Sequence, residues 1–120
     1  MEFDMKSAPV SLLWPYISTA NGLQQWFADK VDVIGKDYEF QWNQVPQTAH
    51  LLSHRAGSHV RFHWTDEDPK VYFEMRIAVN ELTDSTVLAV IDYAEPGDED
   101  DTRDLWASQV DALRRVIGCL

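Results

Sequence analysis

The sequence predicts an α+β domain in which a long terminal helix lies across a curved antiparallel sheet of about seven strands, with two short helices near the start. Three observations lead there. Between Val31 and Ala94, segment after segment alternates apolar and polar residues with period two, the mark of strands with one buried face. Short clusters of Gly, Asn, Asp, Ser and Pro separate these segments, so sequential strands pair as antiparallel neighbours. From Asp98 the apolar period becomes helical, and this helix is the one element apolar enough to cover the sheet. At 120 residues the chain is expected to be a single domain, residues 1–120.

The elements follow in order. Phe3 and Met5 alternate with Glu2, Asp4 and Lys6, a half-buried strand. Ser7-Ala8-Pro9 reads as a helix start, with Ser7 as the cap, and Val10, Leu13, Trp14 and Ile17 recur at helical spacing. Pro15 crowds the carbonyl of Ser11, so this helix is expected to be short or bent. Asn21-Gly22 ends it or opens a second short helix with Leu23, Trp26 and Phe27 on its apolar side. Val31 and Val33, then Tyr38, Phe40 and Trp42, begin the strands, followed by a turn over Asn43 to Pro46. Gln47–Arg55 and His59–Thr65 flank Ala56-Gly57-Ser58 as a hairpin. Val71, Phe73, Met75, Ile77 and Val79 give the longest clean alternation, opposite Tyr72, Glu74 and Arg76. Thr86–Ala94 is apolar on both faces. In the last helix Trp106, Val110, Leu113 and Ile117 form one stripe. Phe73, Met75 and Ile77 are expected to pack against Trp106, Val110 and Leu113.

Ten basic against 20 acidic residues leave a net charge of −10. Residues 61–120 carry 14 of those acids. A nucleic-acid binder needs basic surface to displace phosphate counterions, so this class is excluded, and an anionic membrane surface is equally disfavoured. No apolar run approaches the ~20 residues of a membrane-spanning helix, and Met1–Lys6 is too acidic for a signal peptide. A lone cysteine, Cys119, forms no internal disulfide and no thiolate metal site; a reducing, cytoplasmic setting is expected and Cys119 is read as inert. The densest acidic run, Glu95 to Asp104, lacks the alternating ligands, central Gly and distal Glu of a calcium loop. It reads instead as a helix start, with Asp98 as cap, Glu99 to Asp101 facing the positive end of the helix dipole, and Arg114 and Arg115 at the other end.

Several segments carry a family resemblance. Leu13-Trp14-Pro15-Tyr16-Ile17-Ser18-Thr19 with Gly22-Leu23-Gln24-Gln25-Trp26-Phe27-Ala28-Asp29-Lys30-Val31, then Val60-Arg61-Phe62-His63-Trp64, Tyr72-Phe73-Glu74-Met75-Arg76-Ile77 and Asp92-Tyr93-Ala94-Glu95, resemble the START-like (SRPBCC) helix-grip superfamily over nearly the whole chain. Within it, the chain is most similar to small bacterial domains related to the activator of the large heat-shock ATPase chaperone. Pro15 departs from the helix-compatible residue usual there. The resemblance implies the helix-grip fold and an internal cavity between sheet and last helix. It implies no single activity, because this fold serves ligand carriers, enzymes and chaperone cofactors alike.

Four groups of residues bear on chemistry. If Ala56-Gly57 were a two-residue turn, His54 would face His59, His50 would face His63, and all four histidines would share the solvent side of the hairpin. That arrangement is read as a solvated face rather than a zinc site, with no metal expected. Glu74 and Arg76 share the outer face and read as a surface ion pair. Asp92, in an apolar strand, is the carboxylate best placed to be unusual, though a position at the sheet edge or a bond to a neighbouring turn is favoured. No nucleophile motif, phosphate loop or dinucleotide glycine pattern is present. The five tryptophans are bulky enough to leave only a small cavity.

The expectation is therefore a domain without catalysis or cofactor that binds a small apolar or amphipathic ligand. The ligand site is expected at Trp42, Trp64, Phe73, Met75, Trp106, Val110 and Leu113, with Trp14, Trp26 and Phe27 closing one end. The alternative is a protein-interaction module of the chaperone-cofactor kind that uses the acidic second half. A cyclase or hydrolase would instead show polar side chains converging inside the cavity.

Overall fold

Seven strands form one antiparallel sheet in the computed structural model, which describes residues 1–118. In chain order they are β1 (Glu2–Asp4), β2 (Lys30–Ile34), β3 (Asp37–Trp42), β4 (Val45–Arg55), β5 (His59–Trp64), β6 (Phe73–Asn80) and β7 (Ser85–Ile91). Two short helices, α1 (Val10–Ser18) and α2 (Ala20–Leu23), separate β1 from β2, and the long α3 (Glu99–Ile117) follows β7. The sheet order β1-β7-β6-β5-β4-β3-β2 makes β2 to β7 a plain meander and sets β1 beside the last strand. This is the helix-grip arrangement expected from the sequence.

Period-two patterning decides the two faces. Phe40 on β3, Val60 and Phe62 on β5, Phe73, Met75 and Ile77 on β6, and Leu88 and Val90 on β7 are all buried. They meet Trp106, Val110 and Leu113 of α3 and Leu13 and Ile17 of α1 in one core. Phe73, Met75 and Ile77 share one core with the α3 stripe, as the alternation predicts, and Phe73 meets the Trp106 ring at 6.2 Å.

Local chemistry moves several boundaries. Pro15 sits inside α1, which runs nine residues. Ser7 does not cap it: Pro9, in extended conformation, precedes the helix and accepts from Leu12 and Leu13 through its carbonyl. Asn21 and Gly22 fall inside α2, whose cap is Thr19, accepting from the Gly22 N–H. A Cβ at position 22 would lie 2.0 Å from the Pro15 carbonyl oxygen, so glycine alone lets the two helices meet at this corner. Trp26 and Phe27 follow α2 in a turn, where the Trp26 indole donates to the Tyr16 carbonyl. Asn43 and Gln44 both take positive φ, 51° and 67°, and close β3–β4 as a two-residue turn. Pro46 is therefore in β4, opposite Gln41, and not in the turn. The strand expected to run to Ala94 ends at Ile91, which frees Asp92. At α3 the Asp98 side chain makes no capping bond, while Glu99, Asp100 and Asp101 occupy the first turn and Arg114 and Arg115 the last.

The β4–β5 hairpin corrects the histidine arrangement. Its loop has three residues, Ala56-Gly57-Ser58, with Gly57 at φ 73°, so Arg55 pairs with His59 and His54 with Val60. A bulge between Leu51 and Ser53 then restores the pairing of His50 with His63 and Leu51 with Phe62. His54 consequently lies on the face opposite its three fellows. His50 bonds Asp37 at 2.9 Å and His63 bonds the Val71 carbonyl at 2.8 Å. Among the described residues no three His, Cys, Asp or Glu side chains gather as metal ligands. Cys119 lies outside the described residues.

Candidate functional site

Five aromatic rings meet at the end of the core where the turn after α2, the middle strands and the start of α3 converge. Phe27, Trp42, Trp64, Phe73 and Trp106 form a continuous circuit with successive centroid separations of 5.4, 6.0, 5.0, 6.2 and 5.5 Å. Phe27 and Phe73 also stack across the circuit at 5.9 Å, so the rings form a floor, not an open tube. Each ring has a sequence reason to be there. Trp42, Trp64 and Phe73 are inward positions of β3, β5 and β6, Trp106 starts the apolar stripe of α3, and Phe27 is placed by the tight turn after α2. Above this floor lies a recess of about 340 Å³, lined further by Gln47, Glu67, Asp92, Leu105 and Gln109.

Hydrogen bonds hold the walls. The Trp42 indole donates to the Phe27 carbonyl at 2.9 Å, and the Gln109 amide donates to the same oxygen at 3.1 Å. The Trp106 indole donates to Asp92 Oδ2 at 2.8 Å, while Asp92 Oδ1 accepts from the Tyr93 N–H at 2.8 Å. Asp92 thus bonds the N–H of the next residue and the indole of α3, and not the neighbouring turn favoured from the sequence. Its Oδ2 turns toward α3 and the recess.

Both carboxyls titrate high. Burial pushes Asp92 above its ordinary value, against the opposing pull of the Trp106 and Tyr93 hydrogen bonds. Burial and the negative charges of Asp66, Asp92 and Glu95 raise Glu67, with His63 opposing.

The outer face of β6 treats its carboxylate differently. Glu74 is 2% exposed, buried on the side of the sheet away from α3. Glu74 Oε1 accepts from Arg61 Nε and Nη2 at 3.0 and 2.9 Å, and Oε2 from Arg76 Nε at 3.3 Å. Arg61 in turn lies over the Tyr72 ring, 4.2 Å from its centroid. Burial alone would raise the Glu74 carboxyl, but the two guanidinium groups outweigh it and hold it below its ordinary value. The surface ion pair read from the sequence is a buried carboxylate clamped between two arginines.

Of the seven residues expected at a ligand site, Trp42, Trp64, Phe73 and Trp106 line the recess. Met75, Val110 and Leu113 do not; they are fully buried in the packed core between sheet and α3. The reason is volume: the rings of Phe40, Phe62 and Phe73 fill the middle of that interface. Glu67, Gln47 and Gln109 were not foreseen. Gln109 was within reach, because it lies three residues after Trp106 on one helix face. Glu67 sits in the polar turn Asp66 to Pro69, where nothing in the sequence sets it apart from its acidic neighbours.

A family model for START-like superfamily domains matches residues 1–119. The chain belongs to the START-like superfamily. The solution structure of BfR322 from Bacteroides fragilis is similar to this domain at 40% identity, over 97% of this chain and 87% of that one, with a TM-score of 0.69. Aha1 from Colwellia psychrerythraea, solved as a dimer, shares the fold at 14% identity over 98% of this chain and 92% of that one, TM-score 0.77. DynU16, a protein of the dynemicin biosynthetic locus, shares it at 16% identity over 98% of this chain and 46% of that one, TM-score 0.80. No curated protein sequence matches this START-like domain. No helix among its described residues is long and apolar enough to cross a membrane.

Proposed function

We propose that this START-like domain binds one compact, partly aromatic small molecule in the recess above the five-ring floor and does no chemistry on it. The observation that carries the reading is the recess itself: about 340 Å³, floored by rings and rimmed by a few polar groups. Ligand sites run from roughly 300 to 1,000 Å³, so this one suits a single small ring system and not a long acyl chain. Apolar contact supplies affinity at ~25 cal/mol per Å² buried.

Polar side chains do converge at the rim, the feature expected of an enzyme. The lining holds two carboxylates and two amides but no hydroxyl, thiol, imidazole or amine, so any acid–base chemistry there would fall to Glu67 and Asp92. Asp92 already accepts a hydrogen bond on each oxygen, the posture of a fixed anion. Location in the cytoplasm, supported by the lone cysteine, completes the proposal. The rival reading, a chaperone-cofactor-like interaction module, draws on the acidic second half and on Ile34, 83% exposed on the edge strand β2.

A panel of bicyclic and monocyclic aromatics, followed by tryptophan fluorescence and thermal melting, tests the proposal. Binding should quench emission from Trp42, Trp64 and Trp106 and raise Tm, and mass spectrometry should recover the compound unchanged. Invariant fluorescence and Tm across the panel would transfer the case to the interaction module.

A further inference from the structure

Every charged side chain that lines the recess is a carboxylate. Glu67 and Asp92 stand at its rim, and among the described residues no guanidinium or ammonium bonds to either. The contrast lies within the same sheet, where Glu74 holds two arginines of its own chain. Three of the wall's hydrogen-bond donors, the indoles of Trp42 and Trp106 and the Gln109 amide, already serve protein acceptors. The floor beneath is aromatic, and ring faces attract cations through their quadrupole. The charges acting on Glu67 from its surroundings are those of Asp66, Asp92 and Glu95, negative, and of His63. The net charge of −10 adds a long-range field of the same sign.

We propose that the recess selects an organic cation: a compact molecule with an amine or quaternary ammonium group on an apolar or aromatic body. The body lies against Trp42, Trp64 and Phe73, and the ammonium sits between the rim carboxylates Glu67 and Asp92. This rests on the ligand-binding reading above and adds charge selectivity to it. A neutral ligand would take water from two carboxylates and return at most hydrogen bonds without a counter-charge, and an anion would meet like charge. A cation offsets that desolvation and gains the rings as well.

The test is a matched series of 2-phenylethylammonium, 2-phenylethanol and 3-phenylpropionate, titrated by calorimetry and by NMR of the tryptophan indole signals on the intact chain. The cation should bind about tenfold or more tighter than the alcohol, with the carboxylate weakest. Glu67→Gln and Asp92→Asn, singly and together, should weaken the cation far more than the alcohol, so that the ratio of their Kd values falls toward one. The amide oxygen introduced by Asp92→Asn can keep the Trp106 bond, at the loss of the bond from the Tyr93 N–H. Lowering the pH to protonate both carboxyls should erase the same preference, with Asp66, Glu95 and His63 the other groups that act on Glu67. Equal binding of cation and alcohol, with indole shifts at Trp42, Trp64 and Trp106, would overturn charge selectivity and leave the recess as a ligand site. Absence of binding by all three compounds would overturn both.

Discussion

Glu74, on β6, and Asp92, just past the end of the neighbouring β7, have opposite chemistry. Glu74, on the outer face, is sealed under Arg61 and Arg76 and titrates low. Asp92, at the mouth of the inner face, has an indole and a backbone N–H for partners and titrates high. Burial penalises both charges; what differs is whether the chain supplies a counter-charge. That counter-charge separates an acid that belongs to the architecture from one available to a ligand. Glu74 is complete without anything from outside, whereas Asp92 and its neighbour Glu67 keep an unanswered negative charge beside five rings.

The largest effect sets the scale for this contrast and involves neither carboxylate. Leu113→Ala, in the core that both faces share, should cost about 2–5 kcal/mol through the cavity it opens. Chemical denaturation measures it, and a loss below ~0.5 kcal/mol would mean that α3 does not grip the sheet there.

Glu74→Gln comes next. It removes charge-assisted hydrogen bonds worth about 1.5–3 kcal/mol at a buried position. Its pH signature is as telling as its size. Because the Glu74 pKa is lowered on folding, its stabilisation is present above the ordinary value of 4.5 and is lost as pH falls through the lower folded value. Denaturation midpoints of Glu74→Gln should therefore lose part of the acid-side decline seen in the parent.

Asp92→Asn should do the reverse on a smaller scale. A carboxyl raised on folding contributes stability below its ordinary value of 3.8 and loses it as pH rises through the folded value. At neutral pH relief of the buried charge opposes the loss of one of the two bonds that Asp92 accepts, so the substitution should cost less than Glu74→Gln. A loss comparable to that of Glu74→Gln would abolish the distinction between the two sites.

The smallest effect is none at all. Zinc should leave Tm unchanged and show no sub-micromolar site by calorimetry, since His54 faces away from His50, His59 and His63. A tight one-to-one site abolished by His50→Ala would overturn that.

Sequence legibility followed the same divide between repeating pattern and local closure. The alternation from Phe73 to Ile77 and the stripe Trp106, Val110, Leu113 each repeat often enough to fix faces, and the architecture followed from them. Positions that depend on one backbone angle were not legible. Gly57 in the left-handed region shifts the hairpin by one residue until the bulge at Leu52 restores it, and that one residue moves His54 to the other face. Pairing of Asn43 and Gln44 at positive φ drew Pro46 into a strand. At the site, the tryptophans were legible because large rings on inward positions must meet. Glu67 was not, because a turn residue owes its direction to tertiary contacts alone. Glu74 was misjudged for a related reason: alternation assigns it to the outer face, but cannot say that Arg61 from β5 will close over it.

The placement of β1 has a consequence for the order of assembly. Its sheet neighbour is β7, with Glu2 opposite Ala89 and Asp4 opposite Val87, and the seam extends past the strand, where Thr86 Oγ1 donates to the Ala8 carbonyl at 2.7 Å. The other strands can zip as successive hairpins, each closing a short loop. The β1–β7 seam joins positions more than eighty residues apart, and loop closure of that span carries a larger entropic penalty. A chain emerging at roughly 5–20 residues per second exposes the first strand seconds before its partner exists. Within this domain β1 is thus expected to be fixed late, and contacts made late mainly slow unfolding rather than speed folding. On that expectation β1 is a latch: weakening its seam with β7 should speed unfolding of the domain more than it slows folding.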